Sequence, residues 1–296
     1  MLSQLLSPEL LLAALMLAST YALVALGLNL IYGAMRLLDV AHGDIMMLGG
    51  YVAWSGLAMW GVNPFVGMVG AMLIAALLGA ACYALFFQRM VRNTSIAARL
   101  ESNSLLIFFS ISIILQNVLS LAFTADARSY SFLDSLVRWG DTSIALNRLV
   151  VLAISASATI LVLAFLRFGV FGIAIRALIQ QRDAAALVGI NADRTNRVVF
   201  CLGFALAGLA GALISMTESV TPFGGFPYTI AAFVVVILGG LGSLPGALAG
   251  GLLLAFVEVY GMALFSAAYR SILVYGLFIL ILFIRPQGLL GRREHA

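Results

Sequence analysis

The sequence has very few charged side chains, and none of them is a lysine. Only 9% of its 296 residues are charged, whereas 63% are hydrophobic; an ordinary soluble domain carries about 25% charged residues. So few charges cannot cover a water-soluble globule of this length, which excludes a single soluble domain. All 16 basic residues are arginines. They lie between apolar segments and form no basic stripe, so we expect no nucleic-acid partner.

Histidine and cysteine are equally scarce, with two of each. Cys82 and Cys201 lie within apolar stretches, where a thiol behaves as a small hydrophobic side chain. We therefore expect no metal site and no cofactor. The chain has neither a His-Glu-x-x-His motif nor a Gly-x-Ser-x-Gly motif, and a P-loop is excluded because its lysine is missing. No enzyme activity is predicted.

Long apolar runs make up most of what is present. A helix needs about 20 apolar residues to cross about 30 Å of hydrocarbon. The candidate spans are 9–32, 44–60, 65–88, 104–124, 149–167, 198–217, 246–266 and 271–284. The shorter segment 226–238 is predicted to be a broken or re-entrant helix, or else a ninth span. Because continuous runs favour helices over barrel strands, we predict an all-α polytopic membrane protein with about eight or nine transmembrane helices.

The arginines orient these helices through the positive-inside rule. Three groups are assigned to the cytoplasm: Arg89, Arg92 and Arg99; Arg167, Arg176, Arg182, Arg194 and Arg197; and Arg285, Arg292 and Arg293. Nine spans then place the N-terminus outside, whereas eight would place it inside. The segments 125–148 and 168–197 are too short to form a core of their own. Residues 1–296 are therefore predicted to form a single transmembrane domain.

The cytoplasmic segment 168–197 differs from the rest of the chain because it is charged, helix-prone and amphipathic. Leu178, Ala185 and Val188 give it an apolar stripe, and Gly189 interrupts its helical pattern. Such a stripe is suited to docking against a soluble partner. The alternative is an interfacial helix that lies on membrane lipid.

Four blocks of the sequence resemble one known family. They are Gly-Leu-Asn-Leu-Ile-Tyr-Gly at 27–33 with Asp-Val-Ala-His-Gly-Asp at 39–44, Asp-Ala-Ala at 183–185 followed by Gly189, Gly-Gly-Leu-Gly-Ser-Leu-Pro-Gly at 239–246, and Arg-Pro-Gln-Gly-Leu at 285–289. Together they resemble the H-type permease subunits of branched-chain amino acid ABC importers. Asp183 stands where the general permease loop has glutamate.

This resemblance implies a subunit of the bacterial inner membrane that passes leucine, isoleucine or valine to the cytoplasm by alternating access. It also implies two ATPase subunits, a second related permease and a periplasmic amino-acid-binding protein. The residues implied to couple the permease to the ATPase are Arg182, Asp183, Ala184, Ala185 and Gly189. Permeases for urea and short amides have similar blocks. A further alternative is an ion-coupled secondary transporter with carboxylates from Glu258, Glu218 and Asp44.

Polar side chains within the apolar zone are candidates for a translocation path or gate, because such groups are expensive in hydrocarbon. The candidates are Asn29, Asp39, His42, Asp44, Glu218 and Glu258, and we expect Asp44 to cap the helix that starts near Ile45. Gly242, Gly246 and Gly250 recur every four residues. This spacing predicts a helix face without side chains, against which another helix packs closely.

Overall fold

The computed structural model describes residues 7–92, 100–139, 142–285 and 287–290. Three of the arginines used to orient the chain, Arg99, Arg292 and Arg293, lie outside these residues. For Arg182 and Asp183 only the backbone is described. Within the described ranges the chain is almost entirely helical, which confirms the predicted all-α class.

Twelve α-helices are found in the described part of the chain. They are α1 (Pro8–Met35), α2 (His42–Trp60), α3 (Pro64–Cys82), α4 (Gln88–Arg92), α5 (Leu100–Phe123), α6 (Leu146–Phe168), α7 (Val170–Gln180), α8 (Arg182–Leu187), α9 (Ala192–Ile214), α10 (Phe226–Gly239), α11 (Leu244–Leu264) and α12 (Arg270–Ile284). A π-helical turn, Tyr83–Phe87, joins α3 to α4, and a 3₁₀ turn, Ala267–Tyr269, precedes α12. Two short antiparallel strands, β1 (Leu136–Trp139) and β2 (Thr142–Ala145), form a hairpin before α6.

Seven helical stretches in the described residues are long and apolar enough to cross a membrane. They are Pro8–Met35, Pro64–Val91, Glu101–Phe123, Leu146–Phe168, Ala192–Ile214, Leu244–Leu264 and Ala267–Ile284. The 19-residue helix α2 occupies the predicted 44–60 segment, and the 14-residue helix α10 occupies 226–238. At about 1.5 Å per residue, α10 is too short to cross about 30 Å of hydrocarbon. With α2 and α10 added, the helices agree with the predicted eight or nine.

Polar side chains in the connecting loops set where several helices begin. Ser7, Asn63, Asn191 and Ser243 each accept a hydrogen bond from a backbone N–H of the first turn that follows. These bonds satisfy donors that a helix leaves unpaired at its start. Polar loop residues therefore mark the starts of these four helices.

Helix α9 lies at the centre of the molecule, and α12 lies at its edge. In the most apolar stretch of α9, 78% of the residues are buried, against 6% in Ala267–Ile284, the span that contains α12. Glycines allow this burial, because a Cβ at Gly208 would lie 2.7 Å from the backbone oxygen of Ala71, and one at Gly203 would lie 2.9 Å from that of Gly27. Close backbone contact of this kind is typical of helix packing in membranes.

The predicted glycine face is divided between a helix and a turn. A Cβ at Gly246 or Gly250 would overlap backbone atoms of α10, at Gly239 and Val235. Gly242 precedes α11, where it lies in the α10–α11 turn with a φ of 78°. It therefore does not share the helix face, and its conformation is one that favours glycine.

Candidate functional site

The chain turns back after α1 and runs beside it as a buried loop. Arg36 ends α1 in the left-handed conformation, and α2 begins after the loop, at His42, which packs against the middle part of α1. The His42 ring bonds through Nδ1 to Asp39 Oδ2 at 2.9 Å and lies with Nε2 3.2 Å from the Val24 carbonyl oxygen. Both ring nitrogens therefore lie within hydrogen-bond distance of oxygen atoms. This places Asp39 and His42 inside the helix bundle.

Asp44 links α2 to α5. Its carboxylate accepts hydrogen bonds from the Ser112 hydroxyl and from Gln116 Nε2, the latter at 3.1 Å. The expectation that Asp44 caps its helix is wrong, since α2 already begins at His42. Instead, the carboxylate lies in the first turn, where the helix dipole favours a negative charge. Thr229 of α10 joins the same region by accepting a 2.9 Å hydrogen bond from the Gly43 N–H.

Asn29 holds the turn between α10 and α11. Its Nδ2 donates to the Ser243 carbonyl oxygen at 2.9 Å, and its Oδ1 accepts from the Gly242 N–H at 2.8 Å. Gly240 and Gly242 both have positive φ values. Without the buried Asn29 side chain, the polar backbone groups of this turn would lose their partners. Asn29 therefore fixes the turn to α1.

The last described residues cap α10. The N–H groups of Leu289 and Leu290 donate to the carbonyl oxygens of Leu238 and Gly239, at 2.7 and 3.1 Å. Arg285 donates through Nη1 to the Leu289 carbonyl oxygen at 3.1 Å. These bonds use carbonyls that a helix leaves unpaired at its end. Leu289 and Leu290 thus bind the end of α10, next to the turn that Asn29 holds.

Glu258 lies in a buried ion pair that the sequence analysis missed. Its carboxylate is 1% exposed; it accepts a 2.8 Å hydrogen bond from the Tyr21 hydroxyl and pairs with Arg270 Nε at 2.5 Å. Arg270 also donates to the Tyr21 hydroxyl at 3.4 Å. One signal could have revealed the pair: in the 246–284 stretch, Glu258 and Arg270 are the charged residues, one in each of two adjacent spans. Opposite charges in the apolar zone tend to pair with one another.

Glu218 lies in the exposed loop after α9, in an environment unlike that of Glu258. Its Oε2 accepts a 2.7 Å hydrogen bond from the Tyr228 hydroxyl. The loop is held in place by an isolated bridge in which Arg128 and Val220 exchange backbone hydrogen bonds at 2.9 and 2.8 Å. The two predicted glutamates thus differ: one is buried with an arginine, the other exposed beside a tyrosine.

The predicted coupling segment forms two helices and a glycine turn. Leu187 and Val188 are 90% and 77% exposed at the tip, and Gly189 follows with a φ of 84°. Ala184 is exposed, whereas Ala185 is buried. The predicted stripe of Leu178, Ala185 and Val188 is therefore wrong, because the first two pack against the protein and only Val188 faces outward. The Arg182 and Asp183 side chains lie outside the described residues.

Ile179 of α7 connects this segment to the transmembrane helices. A Cβ built on Gly33 would lie 3.3 Å from Ile179 Cδ1 and 3.4 Å from Gly242 Cα. Ile179, the end of α1 and the α10–α11 turn therefore meet at one point. In the described ranges, no group of three or more His, Cys, Asp or Glu side chains is placed to hold a metal ion.

Comparison with known proteins gives one consistent result. The model of the family described as "Branched-chain amino acid transport system / permease component" matches residues 10–282. The permease protein LivH of the high-affinity branched-chain amino acid transport system of Salmonella typhimurium is 35% identical, over 94% of this chain and 93% of its own length. LivM, a permease protein of that system in Escherichia coli, is 27% identical, over 91% of this chain and 67% of its own length.

A solved structure has the same fold. PsaBC from Streptococcus pneumoniae, in complex with a Fab, superposes with a TM-score of 0.53 over 97% of each chain, at 13% sequence identity. At this identity the match concerns the fold alone.

Proposed function

Because the chain belongs to the family of branched-chain amino acid permease components, we propose that it is the permease subunit of an ABC importer for leucine, isoleucine and valine. The substrate passes inward by alternating access, and ATP is hydrolysed on separate subunits. The proposed partners are a pair of ATPases, a second related permease and a periplasmic amino-acid-binding protein. The proposed location is the bacterial inner membrane.

The exposed apolar tip of the coupling segment carries this proposal. Leu187 and Val188 form the tip beside Gly189, between arginine-containing segments that the positive-inside rule assigns to the cytoplasm. Burial of two adjacent, exposed aliphatic side chains against a partner would be favourable. A cleft in a soluble ATPase would bury both.

The position of Ile179 supports coupling between this tip and the membrane helices. Helices α7 and α8 are consecutive, so a movement of the tip displaces α7 and with it Ile179. That side chain lies against Gly33 at the end of α1 and Gly242 in the α10–α11 turn. Because packed interiors move between discrete arrangements rather than deforming continuously, such a contact can transmit a displacement.

The ion-coupled alternative receives little support from the carboxylates on which it depends. Glu258 is paired with Arg270, and Asp44 accepts bonds from Ser112 and Gln116. Exchange of a proton or sodium ion at either of these carboxylates would disrupt its partners. The third carboxylate, Glu218, lies in the loop after α9 and not within a membrane-spanning helix. The urea or amide alternative is tested by competition: an excess of urea or of a short amide should inhibit leucine uptake only if it is a substrate.

Gly189→Arg tests the ATPase interaction directly. We expect loss of the co-purified ATPase and of ATP-dependent leucine uptake, because the positive φ is strained for arginine and its side chain projects from the tip. Co-purification of the tagged permease measures the first effect and vesicle uptake the second.

Gly61→Arg is the matched control for this variant. Gly61 also has a positive φ, of 63°, and a Cβ there meets nothing within 4 Å. It lies in the α2–α3 turn, far along the chain from the tip, so this variant should retain its ATPase. Retention of the ATPase by Gly189→Arg at the level of Gly61→Arg would contradict the proposal.

A further inference from the structure

A group of polar side chains comes from α1, the loop after α9, α10, α11 and α12, all of which lie outside the coupling segment. Its members are Tyr21, Glu218, Tyr228, Glu258 and Arg270. The two hydrogen-bonded sets are brought together by α10. The Tyr228 hydroxyl of α10 donates to Glu218, and α10 packs against both α1, which carries Tyr21, and α12, which carries Arg270. The group thus presents both signs of charge in one region.

Arg270 has donors left for an external acceptor. Its Nε pairs with Glu258 and one Nη2 hydrogen is directed to Tyr21, whereas a guanidinium has five N–H donors. Within the described residues, Nη1 donates no hydrogen bond to the protein, and the Arg270 side chain is 44% exposed. The edge that carries Nη1 is therefore available to a carboxylate, for which the guanidinium fork is well suited.

Glu218 offers the opposite charge. Its Oε2 is engaged by Tyr228, while Oε1 accepts no hydrogen bond from the residues that the structure describes. The Glu258–Arg270 pair is neutral overall, which leaves Glu218 as the uncompensated charge of the group. An ammonium group would balance it.

We propose that this group is a binding site for the zwitterionic backbone of an amino acid. The carboxylate binds the Nη1 edge of Arg270, and the ammonium binds Glu218. The exposed rings of Phe223 and Phe226 lie in the same 218–230 segment and provide an apolar surface for an aliphatic side chain. This inference rests on the proposed transport of amino acids and adds the residues that recognise them.

The arrangement favours a zwitterion over a neutral amide. Urea and short amides have no separated charges, so they gain nothing from a guanidinium and a carboxylate placed together. Their binding would remove water from Arg270 and Glu218 without putting an opposite charge in its place. An amino acid replaces the water on both ions with opposite charges. Charge-assisted hydrogen bonds of this type are stronger than neutral ones.

Glu218→Gln in the complete transporter tests the site. Binding of tritiated leucine to the detergent-purified complex, without the binding protein, is measured by scintillation proximity. We expect the Kd for leucine to rise at least about tenfold, because one charge-assisted interaction is lost. Glu9→Gln is the control, since it removes an equal charge from the exposed first turn of α1 and should leave the Kd unchanged.

A ligand comparison shows whether the ammonium is what Glu218 contacts. 4-Methylpentanoate has the carboxylate and aliphatic chain of leucine but no ammonium. In the wild type it should compete far more weakly than leucine, and in Glu218→Gln this difference should shrink to a few-fold. A structural role of Glu218 would weaken both ligands equally.

Two results would overturn the site while leaving the proposed function intact. One is a Glu218→Gln complex that binds leucine as tightly as Glu9→Gln does. The other is a wild-type complex that takes up leucine with ATP but shows no direct leucine binding. Failure of the wild-type complex to transport any branched-chain amino acid with ATP would instead contradict the proposed function itself.

Discussion

Individual polar side chains in this protein are mostly used to hold helices together. Asn29, His42 and Asp44 are buried, and each bonds across to another part of the chain. In an apolar environment, a buried polar group without a hydrogen-bond partner lowers the stability by more than a hydrogen-bonded one raises it. These three residues were predicted, as candidates for a path or gate, from their polar chemistry. Their distant partners could not be predicted, because those partners lie at positions that no local pattern specifies.

Asn29→Ala tests this interpretation at the residue scale. Loss of the side chain leaves the Gly242 N–H and the Ser243 carbonyl without their partner, so we expect a loss of about 1–3 kcal/mol of stability. Thermal unfolding of the detergent-solubilised protein measures the change.

Asn117→Ala is the matched control for that measurement. The exposed Asn117 side chain donates only to the Ile113 carbonyl oxygen of its own helix, at 2.7 Å, so its loss should hardly change the melting temperature. Equal shifts for both variants would show that Asn29 does not hold the turn.

At the scale of elements, hydropathy predicts where helices lie but not how they meet. Most of the predicted spans coincide with helices of the structure because burial in hydrocarbon is a property of each segment alone. The buried return of the chain at 37–41 has no such signature. The Glu258–Tyr21 bond joins residues 237 positions apart, and such a contact depends on the packing of the whole bundle.

The coupling elements give a prediction of their own. Ile179→Ala removes the side chain that touches Gly33 and Gly242, while the exposed tip remains as it is. We expect the ATPase to stay bound and its hydrolysis to continue, while leucine uptake per ATP falls about fivefold, which corresponds to about 1 kcal/mol of lost contact.

Ile173→Ala provides the comparison on the same helix. Ile173 is exposed on α7, so its truncation should leave uptake per ATP close to that of the wild type. If Ile179→Ala and Ile173→Ala had the same ratio of uptake to hydrolysis, transmission through Ile179 would be refuted.

Across the whole molecule, buried helices lie at the centre and helices with exposed apolar surfaces lie at the edge. Helix α9 is surrounded by other helices, whereas α12 exposes most of its surface. Large apolar side chains such as Leu121, Phe283 and Leu106 also face outward. This is the surface expected of a chain that lies in a lipid bilayer.

The sequence predicted the all-α membrane class of this molecule and the position of most of its helices, but not the group around Arg270. Arg270 stands alone at the start of its span, and only the packing of α11 against α12 brings it to Glu258. Blocks of consecutive residues, such as 239–246, can be identified from the sequence alone. A group assembled from five separate elements requires the structure.

The most direct test of the central claim, that a separate ATPase drives this permease, is leucine uptake by reconstituted vesicles. The complete complex with its binding protein should accumulate leucine when ATP is supplied to the ATPase side, and should not do so when ATP is replaced by a proton or sodium gradient. Accumulation by this chain alone, with an ion gradient as its only energy source, would contradict the claim.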